Sequence, residues 1–191
     1  MSMVDLFGLL GIQRSPSVSE ETVEAAFTRA ALTAHPDRDG GSTERMAALN
    51  LARKTLLSPA LCIGHFLELE GYQKVERGAV PDVVGALFGD VVSVLNRARV
   101  VVEKRDAASS AITRAVVSGE VREVLRAVEV LDEQVRDRGG RLEHDVADWV
   151  ASGEVGMDAL DTLRRALAFT ARWQQQLAEA RAVLGGATRG A

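Results

Sequence analysis

Apolar residues recur along most of this chain at intervals of three and four, the period of helices that turn one face toward a core. Asp5 to Leu10 reads as a short helix, and Gly11 to Ser17, with Pro16, as a turn. Ser19 then precedes an acidic first turn, Glu20-Glu21, which complements the positive end of a helix dipole. Val23, Phe27, Ala30 and Ala34 fall on one face of this second helix. Pro36 disfavours helical geometry at His35 and ends the helix there. After a short loop with two glycines, a third helix is capped by Ser42 or Thr43 and carries Met46, Leu49, Ala52 and Leu56 along one side. So short a loop makes the two helices antiparallel neighbours. Ser58-Pro59 interrupts the pattern before a fourth apolar helix with Leu61, Phe66, Leu67 and Leu69, which Gly71 can terminate.

Residues 73–81 lack an apolar period and read as a linker. Three long helical segments follow. The first runs from Asp82 to about Val117 and ends at Ser118-Gly119; the second runs from Glu120 to about Ala151; the third runs from Met157 to about Leu184. At 1.5 Å per residue, segments of about 30 residues reach roughly 45 Å, and an antiparallel three-helix bundle is the economical packing. The valines at 91, 92, 94 and 100–102 would also suit a strand. The stripe Leu87, Val91, Val94, Ala98, Val101, with charged residues between its members, favours helix. Gly139-Gly140 should kink or split the second segment. The expected fold is therefore all-α, with an N-terminal helical domain at 1–72, a linker at 73–81, a three-helix bundle at 82–185 and a disordered tail at 186–191.

Composition removes several function classes. Lysine plus arginine total 23 against 27 acidic residues, and a net charge of −4 makes neither nucleic acid nor an anionic membrane the expected partner. The single cysteine, Cys62, excludes an internal disulfide and a cysteine-based zinc site, and fits a reducing compartment. The first ten residues have neither the basic start nor the apolar length of a targeting segment. No run approaches the roughly 18 apolar residues of a membrane helix. A cytoplasmic protein is expected. Near His35 no second titratable group stands at a readable spacing, so no catalytic residue, metal or cofactor is expected and the chain does not read as an enzyme.

The sharpest local signal is His35-Pro36-Asp37, at the mouth of the turn between two antiparallel helices. It presents an imidazole, a rigid φ and a carboxylate where another molecule can reach them. The bland alternative is a helix-breaking proline flanked by two solvated polar residues. A chance occurrence in a chain this long has a probability on the order of one per cent, before its position in a hairpin is counted.

Around that tripeptide the chain resembles a J-domain. The residues that carry the resemblance are Asp5-Leu6-Phe7 with Leu9, Gly11 and Ile12; the helix Phe27-Thr28-Arg29-Ala30-Ala31-Leu32-Thr33-Ala34 leading into His35-Pro36-Asp37-Arg38; and Leu49-Asn50-Leu51-Ala52-Arg53. Phe27 takes the place of the usual aromatic eight residues before the histidine. Further on, Thr55-Leu56, Pro59, Phe66-Leu67, Leu69 and Gly71, and then Leu160-Asp161-Thr162-Leu163-Arg164-Arg165 with Leu167, Phe169, Arg172 and Trp173, are similar to the HscB family of iron–sulfur co-chaperones.

The resemblance implies a two-ended adaptor. His35, Pro36 and Asp37, aided by Arg29, Arg38, Arg53 and Lys54, would engage a DnaK/HscA-type chaperone and stimulate its ATPase. The bundle, through Leu87, Phe88, Asp90, Val91, Phe169 and Trp173, would hold the iron–sulfur scaffold protein. Two departures from the family stand out. Thr28 and Thr33 occupy places where Lys or Arg is common, which weakens electrostatic steering. Val83 to Val91 replaces a Met/Leu and glutamate-rich client motif, which leaves room for a general J-domain adaptor with another client or for a degenerate J-like assembly protein. Phe169 and Trp173 also suit simple core packing, His65 reads as a satisfied core histidine, Cys62 as a small buried apolar group, and His144 among Glu143, Asp145 and Asp148 as part of a solvated face.

Overall fold

The computed structural model describes residues 4–34, 42–73, 79–153 and 156–186. Among them are seven helices and no strand: α1 (Leu6–Leu10), α2 (Glu20–Ala34), α3 (Thr43–Leu56), α4 (Pro59–Leu69), α5 (Asp82–Ala107), α6 (Ala111–Ser152) and α7 (Met157–Gly185). The chain divides into two compact units, residues 1–78 with 142–167 and residues 79–141 with 168–191. The last turns of α6 and the first half of α7 thus group with the N-terminal helices. Residues 74–78, inside the expected linker, and 187–191, in the expected tail, lie outside the described residues.

In the first unit every orphan donor of α1 has a partner. Asp5 Oδ1 accepts from the N–H groups of Phe7 and Gly8, the Asp5 carbonyl accepts from Leu9, and Leu6 N–H donates to Nε2 of His65 on α4 at 3.0 Å. The His65 ring stacks on Phe7, with ring centroids 5.5 Å apart. Burial pushes the Asp5 carboxyl up, but the hydrogen bonds from Gly8, Arg14 and Phe7 together outweigh it and hold the group below its ordinary value. Gly11, at φ 67°, closes α1 with the two backbone bonds of a Schellman turn, Ile12 to Phe7 and Gly11 to Gly8. Gly71 closes α4 in the same way, as its sequence position predicts. Serines cap the hairpin helices: Ser19 Oγ accepts from Thr22 N–H and Ser42 Oγ from Arg45 N–H. Phe7, Val23, Leu49, Ala52, Leu56 and Cys62 form the core, and Ala26, Ala34 and Ala52 are small enough to let α2 and α3 pack closely. Leu61, expected to serve the apolar face of α4, is exposed. Elsewhere in this unit the Tyr72 hydroxyl donates to Asp158 Oδ1 at 2.5 Å.

The second unit is an up-down-up bundle. Lys104 pairs with Glu120, Arg97 with Glu123, and Arg138 donates to the Val83 carbonyl, so α5 and α6 run antiparallel. Arg105 reaches the Val183 carbonyl and Phe88 meets Trp173, so α5 and α7 run parallel. The valine-rich α5 is helical throughout, with Val84, Val91, Ala98 and Val101 buried. The turn between α5 and α6 falls at Ala108-Ser109-Ser110 rather than at Ser118-Gly119. Ala108 is extended, and Ser110 Oγ accepts from Thr113 N–H to start a new helix. Ser118 instead bonds back to the Arg114 carbonyl within α6.

Gly139-Gly140 does not split α6. Buried positions run 117, 121, 124, 128, 131 and 135, and then reach Gly139 by a second consecutive step of four, a stutter in the heptad rhythm. A Cβ on Gly139 would meet Thr170 Oγ1 of α7 at 3.6 Å, whereas one on Gly140 would meet open space.

Two outcomes follow from these contacts. Gly140→Ala removes backbone entropy from a solvent-facing helical position and raises stability by up to about 1 kcal/mol in urea unfolding. Tyr72 is the chain's single tyrosine, so phenolate absorbance reads it alone. The hydrogen bond to Asp158, then burial and the same carboxylate's charge, raise its pKa. Its contribution to stability is therefore complete below the unfolded phenol's pKa and is lost as pH rises through the folded value, and Asp158→Asn shifts the titration downward.

Candidate functional site

The antiparallel hairpin of α2 and α3 has a register that can be read at both ends. Near the loop, Ser42 N–H donates to the Ala34 carbonyl at 3.2 Å. Ten residues back along α2, Glu24 grips Arg53 of α3 in a forked contact, with Nε 2.9 Å from both carboxylate oxygens and Nη2 2.6 Å from Oε1. The same guanidinium lies over the Phe27 ring, 5.1 Å from its centroid. The hydrogen bond with Glu24 and that residue's charge push the Arg53 pKa up. His35, Pro36, Asp37 and Arg38 lie outside the described residues; the helices on either side of them are fixed by these contacts.

The remaining expected chaperone-facing residues separate by environment. Arg29 on α2 and Lys54 on α3 are exposed, while Arg53 is committed to Glu24 and Phe27. Glu24 was not among the expected residues. The signal that finds it is the hairpin itself, because two antiparallel helices folded about residue 38 bring position 24 opposite position 53.

Of the residues expected to meet a client, Phe88 is 45% exposed and Asp90 is exposed, Leu87 and Phe169 are half-buried, and Val91 and Trp173 are buried in the packing of the second unit. Trp173 sits between Phe169 and Phe88, with ring centroids at 5.6 and 6.4 Å. An incoming side chain could reach Phe88 and Asp90 directly.

Other chemistry-bearing groups serve the structure. Cys62 borders a crevice of about 80 Å³ lined also by Pro16, Val18, Leu56, Ile63 and Glu143. Its Sγ donates to the Ser15 carbonyl, and burial pushes the thiol up to about 12, far from the range of a nucleophile. His144 faces Asp148 across one exposed helical turn at 3.4 Å. Among the described residues no group of three or more ligating side chains could hold a metal ion.

A helical hairpin with an added packed helix, followed in sequence by three long helices, is the architecture of J-domain co-chaperones of one particular kind. The human co-chaperone protein HscB superposes with a TM-score of 0.56 at 15% identity, over 92% of this chain and 81% of that one. The chaperone HscB from Vibrio cholerae superposes with a TM-score of 0.59 at 17% identity, over 95% of this chain and 99% of that one. Neither a protein-family model nor a curated protein matches the sequence. The chain has the HscB fold.

Beneath the hairpin, α1 depends on a single imidazole acceptor. His65→Phe keeps a ring stacked on Phe7 but leaves the buried Leu6 N–H without its partner, and lowers stability by about 1–3 kcal/mol in denaturant unfolding.

Proposed function

We propose that this chain is a J-domain co-chaperone that stimulates the ATPase of a DnaK/HscA-type chaperone and delivers a client to it, the iron–sulfur cluster scaffold protein. One observation carries the reading: the HscB fold extends over more than nine-tenths of the chain, and the tripeptide His35-Pro36-Asp37 stands intact between two helices whose ends are tied by the Ala34 and Ser42 backbone bond. The domain organisation that goes with this reading is a J-domain at 1–72, a linker at 73–81 and a client-binding bundle at 82–185.

The work is coupling and involves no covalent chemistry. A partner stabilises one conformation of a chaperone only to the extent that it binds that conformation better. In this reading His35, Pro36 and Asp37 make the state-specific contact, with Arg29, Arg38 and Lys54 as charged neighbours. Arg53 contributes by holding the hairpin register through Glu24. At the other end Phe88 and Asp90, with Leu87 and Phe169 at their margins, meet the client. No helix among the described residues is long and apolar enough to cross a membrane, and the adaptor is assigned to the cytoplasm.

A second reading, a general J-domain adaptor with a different client, is favoured by the segment Val83 to Val91, which lacks the glutamates of the family's client motif. Affinity capture with the full-length chain separates the two, because recovery of the scaffold protein supports the first and its absence with another client recovered supports the second. The chaperone half is tested by steady-state ATP hydrolysis. Wild-type protein accelerates it, and His35→Gln abolishes the acceleration with an unchanged circular dichroism spectrum, since loss of one member of a paired polar interface costs about 2–5 kcal/mol. No acceleration by the wild-type protein would end the proposal.

A further inference from the structure

The outward face of α2 runs straight toward His35 and has little charge to offer. Ala25, Thr28, Arg29, Leu32 and Thr33 are all exposed, at spacings that place most of them on one side of the helix. Leu32, three residues before His35, is 57% exposed. The two threonine hydroxyls point their protons inward, Thr28 Oγ1 donating to the Glu24 carbonyl at 2.8 Å and Thr33 Oγ1 to the Ala30 carbonyl at 2.9 Å. With those protons spent on the backbone, neither hydroxyl has a hydrogen to donate to a partner. Glu24, the acid nearest this face, is neutralised by Arg53. What remains is a leucine, an alanine and two threonines around one cation, Arg29.

We infer that this face is a docking surface for the DnaK-type chaperone, that Leu32 is its specificity-determining anchor, and that the chaperone patch it fits is apolar with one carboxylate opposite Arg29. The inference rests on the co-chaperone reading and deepens it. Charge complementarity selects the occupant. A strongly acidic surface would find one cation here and would leave its other carboxylates desolvated without partners, whereas an apolar patch with a single acid is matched at each position. Affinity at such a contact comes from apolar area and changes little with salt.

The experiment measures the concentration of full-length protein that half-maximally stimulates the ATPase of a DnaK-type chaperone from the same cell, for wild type, Leu32→Glu, Leu32→Met and His35→Gln. Size-exclusion chromatography and thermal unfolding accompany each variant; the exposed position keeps the folding transition in place. Leu32→Glu is expected to raise the half-maximal concentration about tenfold or more, and Leu32→Met to leave it near wild type. Raising ionic strength from about 0.01 to about 0.15 M, which shortens the Debye length from about 30 to about 8 Å, is expected to shift the wild-type value by less than about tenfold. If His35→Gln is inactive while Leu32→Glu behaves as wild type, or if the salt shift is larger, the docking inference falls and the co-chaperone reading stands. A wild-type dimer that Leu32→Glu dissolves without altering stimulation assigns the face to a second copy of this chain and also overturns the inference. A wild-type protein that does not stimulate at all removes both.

Discussion

Two contacts ten residues apart on the same helix hold the N-terminal hairpin in register: the backbone hydrogen bond from Ser42 to Ala34 and the forked grip of Glu24 on Arg53. In an antiparallel pair the residue numbers of facing positions share nearly one sum, and these two contacts obey that rule. A slip of either helix would separate the guanidinium from its carboxylate and lift it off Phe27. The seven residues between Ala34 and Ser42 are therefore presented from a frame that does not depend on their own conformation. Everything proposed for His35, Pro36 and Asp37 assumes this frame.

The frame rests on a second layer. Hairpin helices built around Ala26, Ala34 and Ala52 bury little apolar area against each other and need cover from elsewhere. Phe7 supplies it from α1 and Cys62 from α4. The imidazole of His65 ties these two covering helices together by accepting the Leu6 N–H, which requires Nε2 to be unprotonated and places its proton on Nδ1, 3.9 Å from Glu68. A residue type associated with chemistry has here been used as a cap.

Much of this was legible from residues alone. Helix ends written in serine, proline and glycine came through as read: Ser19, Ser42, Pro59, Gly11 and Gly71 each do what their chemistry dictates. Apolar spacing found Val23, Leu49, Ala52 and Leu56. It failed where two signals of the same kind competed. Ser118-Gly119 looked like a stop, but Ser109-Ser110 offered a better cap eight residues earlier and Ser118 could satisfy itself against Arg114. It failed again at Gly139-Gly140, where flexibility suggested a break; the first glycine faces Thr170 of a packed helix, and packing along α6 outweighs the cost of two glycines. At the candidate site, the tripeptide motif stood out in the linear sequence, while the role of Arg53 could be seen only after the hairpin brought Glu24 beside it. Charge counting treats every arginine alike, and only geometry shows which one is already engaged.

The chain has one sulfhydryl, walled into the first unit and held in its protonated form across the working pH range. Alkylating reagents, which act on thiolates, will therefore pass over it in the native protein. A cysteine installed at a chosen surface position would react alone, so a fluorophore or spin probe can be attached to either half of this adaptor without first mutating the native residue away.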